Sequence, residues 1–231
     1  MTHLSPRVPE LRWVRQPRQV RSQETLERLL DAAELLVAEK GFEDATIAEL
    51  VRRAESSVGA FYARFRDKDV LLYALYARFL AQGVAPADAV LDPEPWSGAT
   101  IPEILHAIVP FLVSVYRERQ GLIRAFVLRN HVDGEFRARQ ARLSHHVNDG
   151  LARLLLPRAG EMRHPNPARA AVFGLTMTVN TIETAVLFGE LRSSALTLSD
   201  EELATELIRA FLAYLGVAEA PRAPRPEPHE P

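Results

Sequence analysis

Cysteine is absent from the 231 residues, which excludes disulfide bridges and thiolate metal sites and fits a reducing compartment. No apolar core of signal-peptide length stands at the N-terminus. The longest uncharged runs, 104–116 and 170–182, fall short of the ~20 residues that a membrane-spanning helix needs. A cytoplasmic protein without membrane association is therefore expected. Equally missing are a Gly-rich phosphate loop, a His-x-x-x-His pair and a recognisable grouping of nucleophile, base and orienting residue. His145 and His146 are adjacent, so on a helix they diverge by ~100° and do not readily share a metal ion. The expectation is a non-enzymatic protein with no metal and no cofactor.

Large net charge is lacking too. The formal value of −2 speaks against nucleic-acid binding until it is divided along the chain: residues 1–23 carry +4, residues 24–49 carry −6 and residues 50–68 carry +3. A phosphate backbone feels the local value, because screening confines the field to ~10 Å at moderate salt.

What is there is helical patterning, in a chain 47% hydrophobic and 25% charged, long enough to bury a sizeable core. The organising stretch is 46–68. Thr46 and Glu49 form a capping box, and Ile47, Leu50, Val51 and Ala54 follow the spacing of one buried face, with Arg52 and Arg53 outward. That helix stops at Glu55-Ser56. Ser57 caps a second short helix that exposes Val58, Gly59 and Ala60 and is anchored by Phe61 and Phe65, four apart. Two short helices around a tight turn read as a helix-turn-helix, in which the second helix touches base edges with its N-terminal residues. Small or apolar residues there permit close approach and pack on a thymine methyl.

Around this unit the reading is all-α. Ser22 is the expected cap of a scaffold helix carrying Leu26, Leu29, Leu30, Ala33, Leu36 and Val37 and closed by Gly41. Asp67 caps a fourth helix with Leu71, Leu72, Leu75, Tyr76 and Phe79 inward; Lys68 at its start opposes the helix dipole, an objection that a nearby phosphate removes. Prolines 86, 93 and 95 place a domain boundary in 83–97. Beyond it, Thr100 and Glu103 open a helix that Pro110 should kink, followed by helices over 121–130, 136–156, 166–188 and 199–216. The helix opened by Asn166-Pro167 is apolar nearly all round and so must be covered on more than one side. The domains expected are a basic arm at 1–21, with Arg12, Arg15, Arg18 and Arg21 at intervals of three, a helix-turn-helix domain at 22–82, a second helical domain at 98–216, and a disordered Pro-rich tail at 217–231.

The linear pattern Gly41-Phe42, Thr46, Ser57-Val58-Gly59-Ala60-Phe61-Tyr62, Phe65 and Lys68 resembles the N-terminal region of the tetracycline-repressor (TetR) family of transcription regulators. The resemblance covers about a quarter of the chain. It implies an all-α protein with an N-terminal three-helix DNA-binding domain and a C-terminal helical domain for ligand binding and dimerisation. Phosphate contacts carry over onto Thr46, Tyr62 and Lys68, and base contacts onto Ser57, Val58 and Gly59, with Ala60 beside them. The partners implied are double-stranded operator DNA, a second copy joined through the last two helices, and a small-molecule effector. The function implied is ligand-responsive repression from a pseudo-palindromic operator. One departure is plain: Glu55 and Ser56 stand where the family has Gly and an apolar residue, and a left-handed Glu costs roughly 1 kcal/mol relative to Gly.

Polar residues within the apolar helices are the candidate ligand contacts: His106, Phe126 with its ring, Asn180 and Glu183. A buried carboxylate is costly unless paired, so Glu183 meets Arg124 or Arg129, or faces a cavity or the dimer axis. The other reading of each is a satisfied core or interface group. The rival classes are a small-molecule carrier or enzyme on the same fold, which would show no specific DNA binding, and an architectural protein, which would bind all duplexes alike.

Overall fold

A computed structural model describes residues 20–188 and 198–218, in which every regular element is helical. The basic arm falls outside these residues apart from its last two, and of the tail only Val217 and Ala218 are described.

Four helices make the N-terminal head: α1 (Val20–Lys40), α2 (Ile47–Arg53), α3 (Val58–Tyr62) and α4 (Lys68–Leu91). Helix α1 is already formed at Val20, the first described residue, so Ser22 lies inside the helix and does not cap it. The other expected ends are in place. Thr46 and Glu49 form the capping box of α2, the Asp67 carboxylate accepts the Val70 N–H at 2.9 Å, and Gly41 turns the chain after α1 at φ +84°. Phe61 and Phe65 are fully buried with ring centroids 5.2 Å apart, between the scaffold helices. Truncating either to Ala should cost about 3–5 kcal/mol.

The stretch 83–97, where a domain boundary is expected, is mostly helical. Helix α4 continues through Gly83 and Pro86 to Leu91, and a short 3-10 turn, Glu94–Trp96, follows. Pro86 removes one backbone donor, but it lies on an exposed part of the helix, where the carbonyl that loses its partner is open to solvent. The chain then bends back under Arg158, whose guanidinium donates to the Leu154 carbonyl at 2.6 Å and to the carbonyls of Trp96 and Ala99.

The body comprises α5 (Ile101–Glu118), α6 (Gln120–Val132), α7 (Gly134–Leu155), α8 (Pro167–Ile182) and α9 (Asp200–Leu215). Helix α5 runs through Pro110 without interruption. Helix α8 is α-helical to Ile182 and continues as a π-turn, Glu183–Leu187, which carries the helical course close to its expected end at Phe188. Packing of α8 on α9 depends on Gly174: a Cβ there would lie 1.9 Å from a carbon of the buried Phe211 ring.

Head and body share side chains. Leu122, Ala125 and Phe126 of α6 and Phe136 of α7 belong to the same buried cluster as Leu71, Leu75 and Tyr76 of α4. Arg129 clamps this joint, bonding Asp69 of α4 and Asp133, each at 2.9 Å, while the Tyr73 hydroxyl donates to Asp133 at 2.8 Å. Two stretches, 68–96 and 167–187, are long and apolar enough by length and composition to cross a bilayer, with mean hydropathy 1.3 and 1.4, where uncharged runs alone suggested none. The first feeds apolar side chains into both cores, and the second packs on α7 and α9.

Candidate nucleic-acid interface and ligand site

Helix α3 is five residues long and holds most of them at the surface. Ser57 stands in extended backbone and its hydroxyl accepts the Ala60 N–H at 3.1 Å, which fixes the first turn. The two buried rings fix its inner side. Ser57, Val58, Gly59 and Tyr62 are thereby left outward, Val58 at 49% and Tyr62 at 54% of full exposure, with Ala60 half-buried. An apolar and an aromatic side chain kept in water by a well-anchored helix mark a surface with something to meet.

Thr46 is exposed at the start of α2, where its hydroxyl donates to Glu49 at 2.8 Å. Lys68 is half-buried: its Nζ donates to the Glu43 carbonyl at 2.8 Å and lies 4.6 Å from the centre of the Phe42 ring. A backbone carbonyl is thus one partner of the Lys68 ammonium at the start of α4. Two further cations near this surface are tied to acids, Lys40 to Glu49 at 2.6 Å and Arg53 to Glu39 at 2.7 Å. Hydrogen bonds from Lys40 and then Thr46 hold the Glu49 carboxyl down at about 2. In the turn before α3, Glu55 adopts φ +47°, the only positive φ outside glycine among the described residues. Its N–H bonds the Arg52 carbonyl at 3.2 Å and the Ser56 N–H bonds the Val51 carbonyl at 2.8 Å, the paired pattern that usually has Gly at this place.

The four expected ligand residues are not brought together. His106 is exposed on the outer side of α5, and Asn180 is exposed on α8 along the same side as Val172, Phe173 and Thr176. Phe126 is buried between head and body, its ring 5.1 Å from Tyr76, 5.5 Å from Phe79 and 5.8 Å from Phe136. Helical spacing identified its inward face but not the neighbour that face meets. Glu183 alone remains inside the body, half-buried at the start of the π-turn.

Glu183 pairs with neither expected arginine. Its carboxylate accepts the Tyr116 hydroxyl at 3.1 Å, Arg124 stacks over Phe188 and Arg129 is held at the joint. Burial raises the carboxyl above its ordinary range, partly offset by the Tyr116 hydrogen bond, and burial together with Glu183 raises the Tyr116 phenol. Gln120 completes the group by donating to the Val186 carbonyl at 2.7 Å within the π-turn. Tyr116 was missed from sequence, although it continues the α5 stripe four residues after Leu112. An open groove of about 410 Å³ lies elsewhere, between α1 and the start of α6, lined by Asp31, Glu34, Leu35, Glu118 and Leu122 among others. Among the described residues no group of three or more His, Asp or Glu side chains could hold a metal ion.

A helix-turn-helix head on an all-helical body defines a protein of the regulatory class. Residues 29–75 match the model of bacterial regulatory proteins of the tetR family, and residues 100–215 match that of the tetracyclin repressor-like C-terminal domain. The chain belongs to this family. No curated protein sequence matches it. Among solved structures it is similar to a transcriptional regulator from Rhodococcus sp. Rha1, with 21% identity over 85% of this chain and 99% of that one and a TM-score of 0.65. A TetR transcription regulator from Haloarcula marismortui has 19% identity over 84% and 97%, with a TM-score of 0.64. FadR from Bacillus subtilis, solved in complex with stearoyl-CoA, has 17% identity over 84% and 99%, with a TM-score of 0.59. At these identities the likeness is one of fold.

Proposed function

We propose that this TetR-family regulator acts in the cytoplasm as a homodimeric repressor that binds a pseudo-palindromic operator and releases it when a small molecule enters the body. The observation that carries the reading is α3: fully buried Phe61 and Phe65 hold Val58, Gly59 and Tyr62 outward at its exposed side. In this reading Ser57, Val58, Gly59 and Ala60 meet base edges, while Thr46, Tyr62 and Lys68 meet phosphates and set the register. Lys68 retains two donors after bonding Glu43, so its role survives its internal contact.

A second copy is called for by the outer side of the last two helices. Val172 and Phe173 are exposed at 42% and 49%, and Ala210 and Ala213 of α9 are small enough for close approach. The Phe173 and Tyr214 rings, 5.3 Å apart, bring the two helices' outer sides into one surface. Two such pairs make a four-helix interface with two-fold symmetry, the arrangement that presents both heads to a palindrome. Asn180, on the same side of α8, joins this interface rather than the ligand site. Release requires that the effector bind the spread form of the dimer more tightly than the DNA-competent form.

The test is a gel shift on the DNA upstream of the protein's own gene, across a salt series. Sequence-selective binding that weakens with salt is expected, as is weaker binding to every duplex for Tyr62→Ala and altered operator preference for Val58 variants. Equal affinity for all duplexes, or none at low salt, sinks the reading.

A further inference from the structure

The outward side of α3 is poor in hydrogen-bonding side chains. Over 57–63 the exposed residues are Ser57, Val58, Gly59, Tyr62 and Ala63. None bears the amide, guanidinium or ammonium that reads adenine or guanine through paired hydrogen bonds. The cations nearby are turned elsewhere. Arg64 is half-buried and donates to the Ala60 carbonyl at 2.8 Å, Arg66 bonds Asp67 at 2.7 Å, and Lys68 bonds the Glu43 carbonyl. Arg52 is exposed, but on α2, the helix that crosses the phosphate backbone in units of this kind. What the first turn of α3 offers a base edge is therefore the Val58 side chain, with a residue that has no side chain beside it.

Nothing within the described protein calls for glycine at position 59. Its φ is not positive, and a Cβ placed there would meet, beyond its adjoining residues and own helix backbone, only the Ser57 hydroxyl oxygen at 3.8 Å, an ordinary contact. Alanine in the same backbone would restrict the unfolded chain and so favour the fold. Gly59 thus lowers stability without an internal return, and its bare Cα matters to what comes against the helix from outside.

We propose that α3 reads its operator through the C5 methyl group of thymine: in each half-site one such methyl packs on Val58 in the major groove, and Gly59 gives the clearance that lets them touch. This rests on the reading of α3 as the helix that meets base edges, and adds the feature it selects. Thymine is the only base that presents an apolar group in the major groove, so an apolar side chain has one favourable partner there. Over cytosine the same side chain would cover the exocyclic amino group and leave its donor unpaired, which is costly. The Ser57 hydroxyl, which accepts the Ala60 N–H and keeps its own proton to donate, bonds any acceptor and so discriminates little.

The test uses the full chain and duplexes selected by gel shift from a random-sequence pool, then resynthesised with deoxyuridine in place of thymidine. Uracil lacks only the C5 methyl, so every hydrogen-bonding group in both grooves is unchanged. Each selected half-site should hold an invariant thymine. A buried methyl is worth about fourfold in binding, so two half-sites should lose on the order of tenfold with uracil. In Val58→Ser the ratio between thymine and uracil duplexes should fall toward one. Gly59→Ala should melt no lower than the parent protein, yet bind the selected duplex roughly tenfold more weakly, the size of one spoiled base contact. Half-sites fixed only at G·C pairs, equal affinity of the parent protein for both duplexes, an undiminished ratio in Val58→Ser, or full affinity in Gly59→Ala overturns the proposal. Thermal melts verify that both variants are folded. If selection recovers no preferred sequence, the regulator reading itself fails, whereas a preferred sequence bound equally well with uracil sinks only the thymine assignment.

Discussion

Replacing Glu55 by Gly isolates one backbone angle. Glu55 sits at φ +47° in the turn that aims α3, where a side chain is crowded against its own carbonyl. Relief of left-handed strain is worth about 1–2 kcal/mol. Glycine also loosens the unfolded chain, which takes back about 0.4–1 kcal/mol. The net gain is centred on roughly 0.8 kcal/mol, or about 2–3 °C in Tm for a chain of this size. Asn tolerates the same angle and should stabilise to a similar degree, whereas Val, branched at Cβ, should destabilise. Thermal unfolding by circular dichroism reads this, at matched protein concentration because association couples to stability. Glu55→Gln keeps the strain and removes the charge, so any gain in DNA affinity that it shares with Glu55→Gly, and that vanishes at high salt, is electrostatic. A melting temperature for Glu55→Gly at or below that of the parent protein would refute the assignment of strain.

Gly174→Ala should destabilise by at least about 1–3 kcal/mol, since the new methyl meets the buried Phe211 ring, and urea unfolding reads the loss. Phe173→Glu puts a charge on the outer side of α8 and should yield a folded monomer by sedimentation velocity at micromolar concentration, where the parent protein is expected to sediment as a dimer. Glu49 is held at about 2 by Lys40 and Thr46, below its ordinary 4.5, so its contribution to stability is full above 4.5 and is lost as pH falls toward 2. Glu49→Gln should therefore flatten the stability profile across that window, measured by circular dichroism melts from pH 6 to pH 2.

Local grammar was legible in the sequence because its causes are local. The Thr46, Ser57, Asp67, Thr100, Asn166 and Ser199 caps all stand where hydroxyl, carboxylate and amide chemistry placed them. The outward set on α3 followed from the two rings behind it. Periodicity gives the side of a helix that is buried and is silent about what buries it, so the packing of Phe126 at the joint between head and body could not be read from its spacing. The same limit hid the Tyr116 contact, which spans 67 residues. Of the prolines in 83–97, Pro86 does not stop α4, since it lies on an exposed stretch where losing one donor is tolerable. The hydrogen bond from Lys68 to the Glu43 carbonyl was hidden for a similar reason, because a backbone partner is announced by no side-chain pattern.

The unbroken course of α4 through Pro86 has a mechanical corollary. Its 24 residues make a rod about 36 Å long, with Leu91 buried in one core and Val70, Leu71 and Leu72 in the other. Tilting such a rod by about 10° about its Leu91 end carries the Lys68 end through about 6 Å, more than the ~3.4 Å between successive base pairs. A disturbance too small to unfold anything in the body is thus enough to move a reading head out of step with the groove.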